Sequence, residues 1–210
     1  FDKTNYYEFR NMGVKHIWYL PLAVDAKRLD LVCSNCEHPG KYRGDVAFVG
    51  SLYERNSYDK IKPTLPEYLK GYFDAAMEAQ LNISGANIIE PMLTPDILEQ
   101  LQEYFKLDKS EGSFSDLGLI FQTTVLGFKV AEIQRRRALI ELSKHFSVNV
   151  YSNSNVSDLI RVHYCGSVDY WSEMPQVFRE SKINLNLTIP DGKFVVITGP
   201  NGGGKSTLAK

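Results

Sequence analysis

Short β-branched runs alternate with longer stretches of helical period between about residues 45 and 188, and this alternation limits what the chain can fold into. The runs are Asp45-Val46-Ala47-Phe48-Val49-Gly50, Val148-Asn149-Val150-Tyr151, Val162-His163-Tyr164 and Ile183-Asn184-Leu185-Asn186-Leu187. Between them Leu65, Leu69, Tyr72, Phe73 and Ala76 recur at helical spacing. Thr94-Pro95-Asp96 reads as an N-cap, a proline at the first helical position and an acid in the first turn, followed by a stripe of Ile97, Leu98, Leu101, Tyr104 and Phe105. A third helical stretch, about 123–145, offers Val130, Ile133, Ile140 and Leu142 for burial, and Ser172 is placed to cap a short helix ending near Glu180. Parallel neighbours need crossover connections, usually helices, so the pattern predicts a doubly wound α/β domain with a mainly parallel sheet. Upstream, His16-Ile17-Trp18-Tyr19-Leu20, closed by Pro21, reads as a strand, and the stretch from Lys27 to Asp45, punctuated by Pro39-Gly40, as a linker.

Charge and composition remove several classes of function. Lys and Arg number 24 against 25 Asp and Glu, a net charge of -1, which gives no electrostatic footprint for nucleic acid. No apolar run approaches the roughly 20 residues that cross a bilayer, and residues 1–10 are too polar and aromatic for a signal peptide. The expectation is a cytoplasmic protein with no direct membrane insertion. A start at Phe1 rather than Met is read as that of a fragment. Three cysteines do not describe a disulfide framework. Cys33-x-x-Cys36 with His38 has metal-like spacing but no second pair nearby, and reads as linker thiols. Arg135-Arg136-Arg137 would point in three directions on a helix and reads as a solvated face with one packed stem. His16, His145 and His163 have no acid partner close in sequence, and Trp18 and Trp171 read as packing residues.

Several segments together carry a resemblance. Asp45 through Tyr53, Gly166-Ser167-Val168-Asp169-Tyr170, Met174-Pro175-Gln176-Val177-Phe178 and Ser181-Lys182-Ile183-Asn184-Leu185-Asn186 resemble bacterial glycosyltransferases that include the CgeB-like spore-maturation proteins, over about residues 1–188. Tyr19 through Asp25 is similar to the segment where such enzymes pass between two Rossmann-like domains. The resemblance implies a GT-B architecture. Residues 1–44 would be the end of an N-terminal domain and its linker, and 45–188 an incomplete Rossmann-like domain. It also implies a nucleotide-sugar donor held near Gly50 and Ser51 for transfer to an unidentified acceptor. A strand ending on glycine suits a diphosphate approaching backbone N–H groups at a helix start, although Gly50 also reads simply as a strand end. The family's next turn, helix and acidic segment do not follow, and no catalytic residue is carried over.

Glycine is dense again from Gly192 onward. Phe194-Val195-Val196-Ile197-Thr198 runs into Gly199-Pro200-Asn201-Gly202-Gly203-Gly204-Lys205-Ser206-Thr207, which satisfies the phosphate-loop pattern G-x-x-x-x-G-K-[ST]. Here Gly199, Asn201, Gly202 and Gly204 would surround phosphate oxygens, with Thr207 following. Lys205 would sit near the β and γ phosphates and Ser206 on the magnesium of Mg-ATP, the one metal the sequence suggests. Residues 189–210 resemble the start of an ABC-transporter ATPase domain, and the stretch ends about one helical turn past the loop, so ATP hydrolysis is not expected. The short Pro190-Asp191-Gly192 connection predicts that the strand before the loop folds back antiparallel.

The two resemblances meet at Asn186-Leu187-Thr188, as a chimeric or truncated reading frame would leave them. Three readings therefore stand: a sugar-nucleotide-binding glycosyltransferase fragment, an ATP-binding P-loop module, and an inactive remnant. The partner expected is a nucleotide or nucleotide sugar.

Overall fold

The computed structural model describes residues 3–20, 23–35, 37–83, 86–107, 113–187 and 195–198. The chain divides into two compact units, 1–37 and 38–210.

The first unit holds α1 (Lys3–Asn11) and α2 (Ala26–Ser34). Asp25 caps α2 by accepting the Arg28 N–H at 3.0 Å. This helix occupies part of the stretch expected as a linker, and no side chain on it is buried. Residues 17–20, expected as a strand, have no regular structure, and Trp18 and Leu20 are exposed.

The second unit opens with β1 (Gly44–Val49) and then stays helical through α3 (Ser57–Ile61), α4 (Glu67–Asn82), α5 (Ile89–Met92), α6 (Pro95–Phe105), α7 (Ser113–Ile120) and α8 (Gly127–Ser143). The cap expected at Thr94 is made: its hydroxyl accepts the Ile97 N–H at 3.5 Å. A π-helical turn, Phe121–Leu126, joins α7 to α8. Gly127 ends that turn because a Cβ there would lie 2.7 Å from the Gln122 carbonyl oxygen, closer than any side chain tolerates. Then follow β2 (Val148–Tyr151), β3 (His163–Gly166), α9 (Met174–Glu180), β4 (Ser181–Leu187) and β5 (Val195–Thr198). Ser172 does not cap α9. Its N–H and hydroxyl both donate to Asp169, at 2.8 and 2.6 Å, forming the turn before the helix.

Among the described residues the sheet runs β3-β2-β1-β4-β5, and β3, β2, β1 and β4 are mutually parallel. In register, Val46 lies opposite Val148 on one side and Ile183 on the other. β5 adds to β4 antiparallel, with Leu185 opposite Ile197. This is an α/β architecture, compatible with a Rossmann-like arrangement. Side-chain alternation along β1 splits the sheet into two covered faces. Val46 and Phe48 pack with Val148, Val150, Ile183, Leu185 and Leu139 of α8, while Ala47 packs with Tyr42, Tyr151 and Val177 of α9. The helices between β1 and β2 bury a separate core built around Leu69, Phe73, Leu101, Phe121 and Val130. Among the described residues no helix is long and apolar enough to cross a membrane.

Candidate functional site at the carboxyl ends of the strands

Three strand exits meet on one edge of the sheet. The segment after β1 (49–56), the segment after β2 (151–154) and residues 167–168 after β3 enclose a cavity of about 560 Å³, with Phe128 of α8 completing the wall. Serine and backbone hydrogen bonds join the exits. The Gly50 N–H donates to the Tyr151 carbonyl at 3.0 Å, carrying the β1–β2 ladder one step past the strand. The Leu52 N–H donates to the Ser154 hydroxyl at 2.9 Å, and the Leu52 side chain is fully buried. The Ser152 N–H donates to the Gly166 carbonyl at 2.8 Å, and the Tyr164 hydroxyl to the Ser152 carbonyl at 3.0 Å. Gly166 takes φ +76°, a left-handed turn that favours glycine and releases Ser167 toward the cavity.

One face of α8 fixes the loop after β1. Arg135 reaches back so that its Nη1 donates to the Ser51 carbonyl at 2.5 Å, and its guanidinium carbon lies 4.7 Å from the centre of the Tyr53 ring. Burial draws its pKa below the ordinary arginine value. Tyr53 sits at φ +56°, a sparsely populated conformation for a non-glycine residue, and its ring stacks on Phe128 at 4.8 Å. Further along, the buried Glu132 carboxylate accepts from Asn56 Nδ2 at 2.7 Å, Lys129 Nζ at 2.8 Å and Arg136 Nε at 3.3 Å. Asn56 also caps α3, accepting the Asp59 N–H at 2.9 Å. Arg136 pairs in addition with Asp158, and Arg137 with Glu78 at 3.3 Å. The three arginines do diverge, but Arg135 and Arg136 are held by the fold rather than solvated.

The cavity wall itself is polar and of mixed charge. Burial pushes the Glu54 carboxyl up, but the Ser154 hydroxyl, its own N–H, the Asn155 N–H at 3.3 Å and the nearby Arg55 charge outweigh it and hold the group below the usual glutamate value. Arg55, Asn153 and Ser167 are exposed in the wall, and their side chains make no hydrogen bond or ion pair among the described residues. Tyr151 is pushed up to about 12 by burial and by Cys165, so at neutral pH its phenol stays a donor. Burial likewise raises the Cys165 thiol, which is not an activated nucleophile.

Gly50 and Ser51 thus both line the cavity, together with Ser167. At Gly50, where the sequence suggests a diphosphate approaching backbone N–H groups at a helix start, the local geometry is different. The Gly50 N–H is already bonded to Tyr151, and the next helix, α3, begins only at Ser57 and has five residues. The residues sequence reasoning missed are Glu54, Arg55 and Asn153, which carried no motif; charge in a strand-exit loop was the available signal. Gly199, Asn201, Gly202, Gly204, Lys205, Ser206 and Thr207, the expected Mg-ATP loop, lie outside the described residues, as does Cys36. Cys33 is a half-buried free thiol, and among the described residues no three His, Cys, Asp or Glu side chains converge as a metal site. His16, His145 and His163 are exposed, and so is Trp171, which meets Tyr170 edge-on at 5.1 Å rather than filling a core. Comparison of the chain with protein-family models, with curated proteins and with solved structures found no match.

Proposed function

We propose that this chain binds a sugar nucleotide at the carboxyl ends of β1, β2 and β3, as part of a GT-B-type glycosyltransferase acting in the cytoplasm. The observation that carries the reading is the cavity itself. Open parallel sheets gather ligands at the carboxyl ends of their strands, and a cavity of about 560 Å³ falls in the roughly 300–1,000 Å³ range of small-molecule sites. Its wall supports the same chemistry. Arg55 offers a planar cationic fork that lies near the Glu54 charge but makes no hydrogen bond or salt bridge among the described residues, suited to bidentate pairing with a diphosphate. Asn153 and Ser167 add neutral polar groups across the cavity. The resemblance of the strand segments to CgeB-like glycosyltransferases supplies the reaction class, transfer of a sugar from its nucleotide to an acceptor.

Calorimetric titration with UDP, UDP-glucose and Mg-ATP tests this reading. UDP and UDP-glucose are expected to bind, and Arg55→Ala to weaken both about tenfold or more through loss of a charge-assisted contact. Mg-ATP is expected to bind weakly, with Lys205→Ala changing little. Silence with both uridine ligands, alongside Mg-ATP binding that Lys205→Ala abolishes, would replace this reading with the P-loop one.

A further inference from the structure

Among the described residues of the cavity wall, Tyr53 alone combines a side chain with a left-handed backbone, at φ +56°. For a tyrosine this conformation is unfavourable, and it persists only where the surroundings over-determine it. It also sets the path of the loop. Glu54 and Arg55 follow at once and line the cavity, and an extended Tyr53 would carry them elsewhere.

Arg135 of α8 is not a residue of the cavity wall, yet it grips this turn from behind. Its Nη1 donates to the Ser51 carbonyl at 2.5 Å, and its guanidinium carbon lies 4.7 Å from the centre of the Tyr53 ring and 5.8 Å from that of Phe48. Phe48 is buried in β1, so the flat cation ties the loop to the strand it leaves. Phe128 stacks on the Tyr53 ring at 4.8 Å, and the Tyr53 N–H donates to the Ser51 hydroxyl at 3.0 Å. A lysine has neither the planar fork nor the flat face that these contacts use together. Burial works against the Arg135 charge, so a cation here is a cost to the fold, and what it secures is the path of the loop.

We propose that Arg135 is a positioning residue for the cavity: without touching the ligand, its guanidinium holds Tyr53 in the left-handed conformation that delivers Arg55 to the wall. The assignment rests on the sugar-nucleotide reading of the cavity. The loop after β1 is then formed before the ligand arrives, and no binding free energy is consumed in straining it. Without the guanidinium the loop relaxes, and apparent affinity falls with the fraction of chains still in the competent conformation.

UDP titrations of the wild-type chain, Arg135→Lys, Tyr53→Asn and the double variant test this, with amide shifts recorded for each free protein by NMR. Lysine keeps the charge that attracts a diphosphate, and asparagine accepts a left-handed backbone more readily than tyrosine. Arg135→Lys is expected to weaken UDP about tenfold and to displace the amides of residues 51–55, while those of Val46 and Ala47 stay in place and show the sheet intact. In the Tyr53→Asn background the same substitution is expected to cost less than about threefold, whatever Tyr53→Asn itself does to affinity, because little strain is left to hold. In the unaltered chain the close intraresidue approach of Hα and the amide proton that marks a left-handed Tyr53 is expected before UDP is added, a reading that needs no variant to fold. If UDP binds the wild-type chain and Arg135→Lys alike, if the loss is equal in both backgrounds, or if Tyr53 turns left-handed only with UDP, the positioning role is overturned and the cavity reading stands. If no uridine ligand binds the wild-type chain, the cavity reading fails and the positioning role falls with it.

Discussion

Glu173 shows how neighbours that are distant in sequence decide the behaviour of one side chain. Its carboxylate accepts from the Tyr42 hydroxyl at 2.5 Å, the Asp169 N–H at 2.9 Å and Lys41 Nζ at 3.0 Å, and these donors hold its pKa down to about 2 from the usual 4.5. Because the folded value lies below the unfolded one, the interaction stabilises fully above pH 4.5 and is lost as pH falls toward 2. Urea unfolding between pH 6 and pH 2 is therefore expected to show a steeper acid loss of stability for the native chain than for Glu173→Gln; parallel curves would contradict the pairing. The arginine run at 135–137 makes the same point about legibility. Helical geometry alone says that its members diverge. It does not say that they meet Ser51, Asp158 and Glu78, which lie 84, 22 and 59 residues away. Contacts of that separation leave no local trace in the sequence, and the contact of Glu54 with the Asn155 N–H, 101 residues on, is another of the kind.

β1, β2 and β4 were legible as β-branched or alternating apolar runs bounded by polar turns, whereas β3 holds no β-branched residue and the run ending at Leu20, which reads equally as a strand, forms none. The helix α8 was legible in extent but not in orientation. Of Val130, Ile133, Ile140 and Leu142, the residues the sequence offers for burial, Val130 is fully buried and Leu142 packs partly buried on the sheet core, but Ile140 is 42% exposed and its neighbour Leu139 is fully buried instead. Nine residues along an α-helix amount to half a turn beyond two full ones, so Val130 and Leu139 lie on opposite faces. Val130 packs into the helical core and Leu139 into the sheet core. The helix thus changes its buried face midway, and its flank between the two contacts carries the side chains that grip the loop after β1. Leu139→Ala is expected to destabilise the chain by about 2–5 kcal/mol, and Ile140→Ala by well under 1 kcal/mol, measured by urea unfolding. Equal costs would return α8 to a single stripe.

At the scale of the whole molecule, strand–helix alternation announced the parallel sheet, and the short link after β4 announced the antiparallel position of β5. The alternation could not announce that the helices between β1 and β2 would bury a core of their own before α8 returns the chain to the sheet. Periodicity reports which face of a helix is apolar and is silent on what that face meets. Nor could it place the cavity, which exists only because three exits, the first about a hundred residues of chain before the other two, are drawn together by serine and backbone hydrogen bonds. The central claim is that this edge of the sheet binds a sugar nucleotide, and amide chemical shifts followed by NMR during addition of UDP test it most directly. The account predicts saturable shifts centred on Gly50, Ser51, Arg55, Asn153 and Ser167. Amides at these five positions that stay unmoved by UDP, with shifts appearing only at 199–207 on addition of Mg-ATP, would contradict it.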